Sequence, residues 1–260
     1  MPPNDQPLDE HDEVIDHKVL RRLAASWPRR ATVRTDLDRI EAPSVHDPAI
    51  PDYPVALLPF AAHPDFLAAT PDQRQRVLTL AWLTYNERVI AAEEHIANPA
   101  FALIMHGAFP GADSIEIKRT VQQAHIDETW HTYMHMMAMQ RTRELRGITD
   151  EPERPHAVTL QRLIDARAEA PEEWERNLLT LVWTTVAEVS VNAYLTLLSR
   201  DETIQPLHSL VPQLHARDES AHSSMMVEVT KSLYVHMNRE QRDSFCRALP
   251  RALKAFTEHD

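Results

Sequence analysis

The 260-residue chain carries 27 basic and 39 acidic side chains, a net charge of −12, and 43% of its residues are hydrophobic. That length accommodates a sizeable buried core, whereas the charge disfavours a general nucleic-acid or anionic-membrane binder through repulsion. Three glycines are too few for Gly-rich phosphate loops or for the tight turns of an all-β protein, and a single cysteine excludes an internal disulfide.

In chain order, residues 1–11 form a polar tail expected to be flexible. Residues 12–27 have helical periodicity that Pro28 is expected to end. Arg21, Arg22, Arg29 and Arg30 cluster there as a solvated basic face. The opening MPPNDQPLDE lacks the pattern of a signal peptide, and no uninterrupted apolar run approaches the roughly 20 residues of a membrane span, so a cytoplasmic protein is expected. From 28 to 71 the chain is punctuated by proline but contains the apolar run VALLPF (55–60), which predicts a wrap packed along the domain rather than a linker.

Long helices are predicted at roughly 72–97, 113–146, 155–168, 171–200, 206–237 and 239–257. Thr70-Pro71-Asp72 and Ala170-Pro171-Glu172-Glu173 combine a first-turn proline with acidic residues at the positive end of the helix dipole. No strand-like alternation stands out, so the fold class is all-α and residues 12–260 are taken as one domain. Cys246, without a His or Asn context, is taken as a buried structural thiol.

The chemistry concentrates in two copies of Asp-Glu-x-x-His, in HIDETWH (125–131) and HARDESAH (215–222). At about 100° per residue, Glu128 and His131 lie about 60° apart on their helix, and Glu219 and His222 repeat that geometry. Two such motifs, joined by one Glu from each of two further helices, hold two metal ions in ferritin-like four-helix bundles.

The segment LLTLVWTTVAEVSVNAYLTLL supplies Glu188, the only charged residue between Arg176 and Arg200. A buried carboxylate needs a partner, and a metal ion provides one. In RVIAAEEHIANP, Glu93 continues the stripe of Leu78, Trp82, Tyr85, Val89 and Ile96, whereas Glu94 falls about 100° away and His95 is also off the stripe.

Glu93 precedes Glu128 by 35 residues and Glu188 precedes Glu219 by 31, each right for running down one helix and returning to the same depth. Asp127 and Asp218 are expected to accept from the histidine of the facing helix, Asp127 from His222 and Asp218 from His131. His215 lies about 40° from Glu219, so it can face the same centre, but spacing alone leaves its ligation open. His125 and His135 are expected to support or pack around the site. Tyr85, two turns before Glu93, and Asn192, one turn beyond Glu188, are candidates for the substrate pocket.

The segments AWLTYNERVIAAEEHIANPA (81–100), DETWH (127–131), TTVAEVSVN (184–192) and HARDESAH (215–222) together resemble the AurF-like p-aminobenzoate N-oxygenase family. Those are ferritin-like, non-haem diiron enzymes that oxidise amines to hydroxylamine, nitroso or nitro products. The resemblance covers roughly residues 70 to 235 and leaves the amine, aryl or aliphatic, open. It implies seven metal ligands, falling on Glu93, Glu128, His131, Glu188, His215, Glu219 and His222, with His215 as the most specific feature. It further implies two iron ions, O2, a small-molecule amine substrate, an external electron donor (a reductase or ferredoxin) and a biosynthetic role, with no separate protein nucleophile. A homodimer is the expectation for an enzyme of long helices. The alternatives are a diiron hydroxylase or desaturase or a Mn/Fe oxidase acting on carbon, and, outside enzymes, an iron-storage bundle.

Overall fold

Capping chemistry starts and stops the helices close to where the sequence places them. In the computed structural model, which describes residues 17–35 and 46–258, ten α-helices occur: α1 Lys18–Arg30, α2 Thr32–Thr35, α3 Pro64–Ala68, α4 Pro71–Ala92, α5 Asn98–Met105, α6 Ile115–Arg146, α7 Val158–Glu169, α8 Glu173–Ser199, α9 Pro206–His236 and α10 Arg239–Thr257. No strand occurs among the described residues. The expected tail at 1–11 lies outside the described residues.

Thr70 and Gln73 cap α4 reciprocally, side chain to backbone in both directions. Ser114 caps α6, and Gly147 ends it in the left-handed conformation at φ 61°. The amide of Ile148 then closes onto the carbonyl of Arg143 at 2.9 Å.

Two boundaries differ from expectation, each for a definable reason. Helix α1 continues through Pro28 to Arg30. A helical proline leaves the carbonyl four residues earlier without its amide, and Gln123 of α6 donates its side-chain amide to that carbonyl, Ala24 O, at 3.3 Å. The helix expected at 72–97 instead ends as α4 at Ala92 and passes into a π-helical turn, Glu93–Ala97, before α5. The amide of Asn98 bonds Glu93 O, a five-residue step, and Pro99 follows at once. A π-turn inserts one residue into a turn and re-aims the side chains around it, and such turns favour functional positions.

Helices α4, α6, α8 and α9 supply the four strands of a helical bundle, with α7 in the crossover between α6 and α8. One core cluster joins α5, α7, α8 and α10 around Phe101, Trp183 and Leu163. The other joins α4, α6, α8 and α9 around Trp82, Leu83 and Met134. The residues facing these clusters follow three- and four-residue steps, so burial of one face of each helix supplies most of its stability.

The proline-rich stretch is tied down at its described end. Tyr53, Leu58 and Phe66 are buried in the second cluster. Gln205 spans the start of α9 and the wrap, donating to Asp47 O and Ile50 O at 2.6 and 2.8 Å. Buried Asp52 accepts from Thr79 and Arg146 at 2.6 and 2.8 Å. Helix α1 lies across α6 and α9.

Two expectations change. Cys246 is exposed, because the buried stripe of α10 runs through Phe245, Ala248, Ala252 and Ala255 and leaves position 246 on the solvent side. Helix α8 is long and apolar enough to cross a membrane by length and composition, with a mean hydropathy of 1.3, although 61% of that window is buried inside the protein, as for a core helix.

Candidate metal centre

The central turns of α6, α8 and α9 and the π-turn that follows α4 bring their charged residues together. Glu93, Glu128, His131, Glu188, His215, Glu219 and His222 are all buried. Their ligating atoms fall into two sets, Glu93, Glu128, His131 and His215, and Glu128, Glu188, Glu219 and His222, each with all atoms within 4.8 Å of one another. Glu128 belongs to both. Its Oε2 stands 2.6 Å from His131 Nδ1 and its Oε1 stands 2.5 Å from His222 Nδ1, so its two oxygens face different sets. The π-turn places Glu93 in the centre, while Glu94 is half-buried outside it and His95 is exposed.

Each histidine presents one nitrogen to the carboxylates and fixes the other behind it. Asp218 Oδ2 accepts from His131 Nε2 at 3.2 Å, and Asp127 Oδ2 accepts from His222 Nε2 at 3.1 Å, so each aspartate serves the facing helix. For His215 the support is a relay. Asn86 donates its side-chain NH2 to Trp82 O at 2.6 Å, which turns its Oδ1 toward His135 Nδ1 at 2.7 Å. Burial, with His215 and His131 adding to it, pushes His135 well below the ordinary histidine range, so its ring is neutral and Nε2 accepts. His215 Nδ1 is 3.0 Å from that nitrogen and donates to it. Its Nε2 therefore faces Glu93 and Glu219, at 3.4 and 3.2 Å.

The electrostatics fit a cation pair. Burial and the neighbouring carboxylates push Glu128 and Glu188 well above the usual carboxylate range. Glu219 is held low; burial opposes this, but the charges of His222 and His215 and their hydrogen bonds prevail. His222 is raised well above the ordinary range, because Glu128 and Glu219 outweigh its burial. The carboxylates thus pull protons onto the imidazoles, and metal cations at the same atoms would take the place of those protons. Glu188 Oε2 is buried without a hydrogen-bond partner, although leaving such an atom unmatched costs about 1–3 kcal/mol. Carboxylate oxygens with neutral imidazoles suit iron, hard ligands favouring the ferric and imidazole tolerating the ferrous state. The first set offers two nitrogens and the second one, the difference being His215.

Around this core the sequence left Trp27 and Thr32 unassigned, and Arg30, expected on a solvated basic face, is instead half-buried against Asp218 because α1 packs across α6 and α9. Trp27 Nε1 donates to Asp127 at 2.9 and 3.0 Å. Arg30 and the amide of Thr32 donate to Asp218 at 2.9 and 3.1 Å. All three belong to the N-terminal α1–α2 segment, and nothing in local spacing ties residues 27–32 to positions 127 and 218. Asn86 was also unassigned; its place seven residues, two turns, before Glu93 was the available signal. His125 packs edge-on to Phe101 away from the centre, at 6.2 Å between ring centroids.

Of the two pocket candidates, Tyr85 is buried with its hydroxyl unpartnered, beside Tyr53, Tyr194 and His135. Burial, then the neighbouring tyrosines and Glu93, raises its phenol well above the ordinary range, so it stays protonated. Asn192 is half-buried and accepts from Thr196 at 3.5 Å.

The family model described as P-aminobenzoate N-oxygenase AurF matches residues 15–260. A 4-aminobenzoate N-oxygenase of Streptomyces thioluteus is 54% identical over 249 residues, covering 96% of this chain and 74% of that protein.

Proposed function

The chain belongs to the p-aminobenzoate N-oxygenase AurF family and is an amine N-oxygenase, and from that premise we propose that the two side-chain sets, which share Glu128, would hold two iron ions and that an aryl amine of the 4-aminobenzoate type is oxidised beside them. Seven ligands are assigned: Glu93, Glu128, His131 and His215 for one ion, Glu128, Glu188, Glu219 and His222 for the other. When bound, the ions would supply the O2-activating redox chemistry. The observation that supports this most is the shared Glu128, with oxygens directed to two different imidazoles.

The chain's own residues prepare that chemistry. Asp127, Asp218 and the His135–Asn86 relay hold three imidazoles in the tautomers that expose a lone pair inward. The burial of all seven side chains keeps bulk water from them. The substrate amine lies on the Tyr85 side, where a protonated phenol without an acceptor is available to donate to a carboxylate of the substrate. An external electron donor and a homodimeric state complete the proposal.

The test is metal analysis combined with product identification. After loading with Fe(II), two iron ions per chain are expected, and 4-aminobenzoate with O2 and a reductant should yield N-oxygenated product. Iron uptake far above two per chain, or oxidation at carbon alone, would refute the proposal.

A further inference from the structure

We propose that α1 is the face through which the centre receives electrons, an acidic one-electron iron–sulfur protein docking on its arginines while Trp27, Asp127 and His222 carry the electron inward.

The inference rests on the two-iron reading above and on three observations. First, Trp27 is half-buried at the surface and is joined by hydrogen bonds to Asp127, which in turn accepts from His222 Nε2 at 3.1 Å. His222 is one of the seven assigned ligands, so a continuous bonded path runs from an aromatic ring at the surface to a metal-facing imidazole. An indole needs only one acceptor, and a packing role alone does not call for Asp127 as that acceptor.

Second, residues 17–35 contain Lys18, Arg21, Arg22, Arg29, Arg30 and Arg34 and no acidic residue, in a chain of net charge −12. Lys18, Arg21, Arg22, Arg29 and Arg34 are exposed. Arg21 pairs with Glu116 at 3.7 Å, and Arg34 sits over the Trp27 ring at 5.9 Å from its centroid, which puts one of these charges at the indole itself. A basic patch on an acidic protein steers an acidic partner and speeds encounter.

Third, this side of the centre is closed to substrate. The cavity between α1 and His222, lined by Leu23, Arg30, Thr120, Ala221 and Met225, has a volume of about 10 Å³, room for about one water. A molecule the size of an aryl amine does not reach the centre here, whereas an electron along the bonded path does.

The step is a one-electron transfer. The donor's reduced cluster loses one electron and a ferric ion becomes ferrous; no bond is made or broken, and two transfers reduce the pair.

Reduced, net-negative [2Fe–2S] ferredoxin is the probe. Calorimetric titration of the iron-free oxygenase should give binding that weakens about tenfold or more as salt rises from roughly 0.05 to 0.5 M, and the double variant Arg22→Glu/Arg29→Glu should lose it to a similar extent. In stopped-flow absorbance, Trp27→Phe should slow ferredoxin-driven reduction of the diferric protein at least about tenfold, with affinity and dithionite-driven reduction within about twofold of wild type. Equal slowing by both reductants would make Trp27 merely structural and overturn the proposal. Absent or salt-insensitive binding would overturn it too, as would tighter binding of duplex DNA or anionic vesicles to the same arginines. Should Trp27→Phe not fold, the exposed Arg22/Arg29 variant decides by both readouts. Iron content measured first separates failure of the two-iron reading, fewer than two ions per chain, from failure of the electron path.

Discussion

Asp218→Asn is expected to weaken one iron site and spare the other. Asp218 accepts from His131 Nε2 at 3.2 Å, Arg30 at 2.9 Å and the amide of Thr32 at 3.1 Å. An asparagine of the same shape keeps one acceptor oxygen and turns an NH2 toward one of these donors. At least one charge-assisted bond is lost, about 1.5–3 kcal/mol, and a buried donor is left facing another, so a total of about 2–4 kcal/mol is reasonable. For a chain of this length that lowers Tm by roughly 5–10 °C. Because Asp218 touches His131 and not His222, affinity should fall about 10–100-fold for the ion held by Glu93, Glu128, His131 and His215. The other ion should change little. Chelator-competition titration, with two resolved Fe(II) affinities, reads this directly, and Asp127→Asn should give the mirror result. Equal weakening of both ions by Asp218→Asn, or no weakening of either, would refute the assignment of one aspartate to one histidine.

Replacing Glu188 by Gln should raise the Tm of the metal-free protein by a few degrees while abolishing one iron site, because Glu188 Oε2 is buried without a hydrogen bond; a lower Tm in thermal scans of the iron-free variant would contradict this. His135→Phe removes the acceptor of His215 Nδ1 and should weaken iron about tenfold, with an altered visible spectrum of the loaded protein; an unchanged spectrum and affinity would remove the relay. His208, pushed down to about 4 by burial, donates to Asp52 O at 2.8 Å and stacks on Trp82 at 4.1 Å between ring centroids. Its folded value lies below the unfolded value of 6.5, so the unfolded chain binds the extra proton between them, and stability present above pH 6.5 is lost as pH falls toward 4. Between pH 7 and 5 that contributes about 2 kcal/mol, and His208→Gln should flatten the denaturant-derived stability difference by about that much. Gly111→Ala should destabilise, since φ is +79° and an added Cβ would stand 2.5 Å from His236 Nδ1; urea unfolding with an unchanged midpoint would count against that clash.

The sequence determined the helices and the candidate ligands, because both follow from local rules. Helical periodicity, proline-marked starts and the 3- and 4-residue spacing of Glu128, His131, His215, Glu219 and His222 are properties of one helix at a time. Glu188 was legible as the one charge in an apolar helix, and Glu93 over Glu94 by its place on the stripe, although the π-turn that aims it was not. Tertiary structure decided what depends on which faces of non-adjacent helices meet. Trp27, Arg30 and Thr32 reach Asp127 and Asp218 across about 100 and 190 positions, and no local period encodes such a contact. The same holds for the Asn86–His135–His215 relay, for Gln123 capping the carbonyl freed by Pro28, and for Cys246, whose exposure was set by the rotation of α10 about its own axis. Side-chain identity fixes what chemistry is available, and helix packing fixes which groups share it.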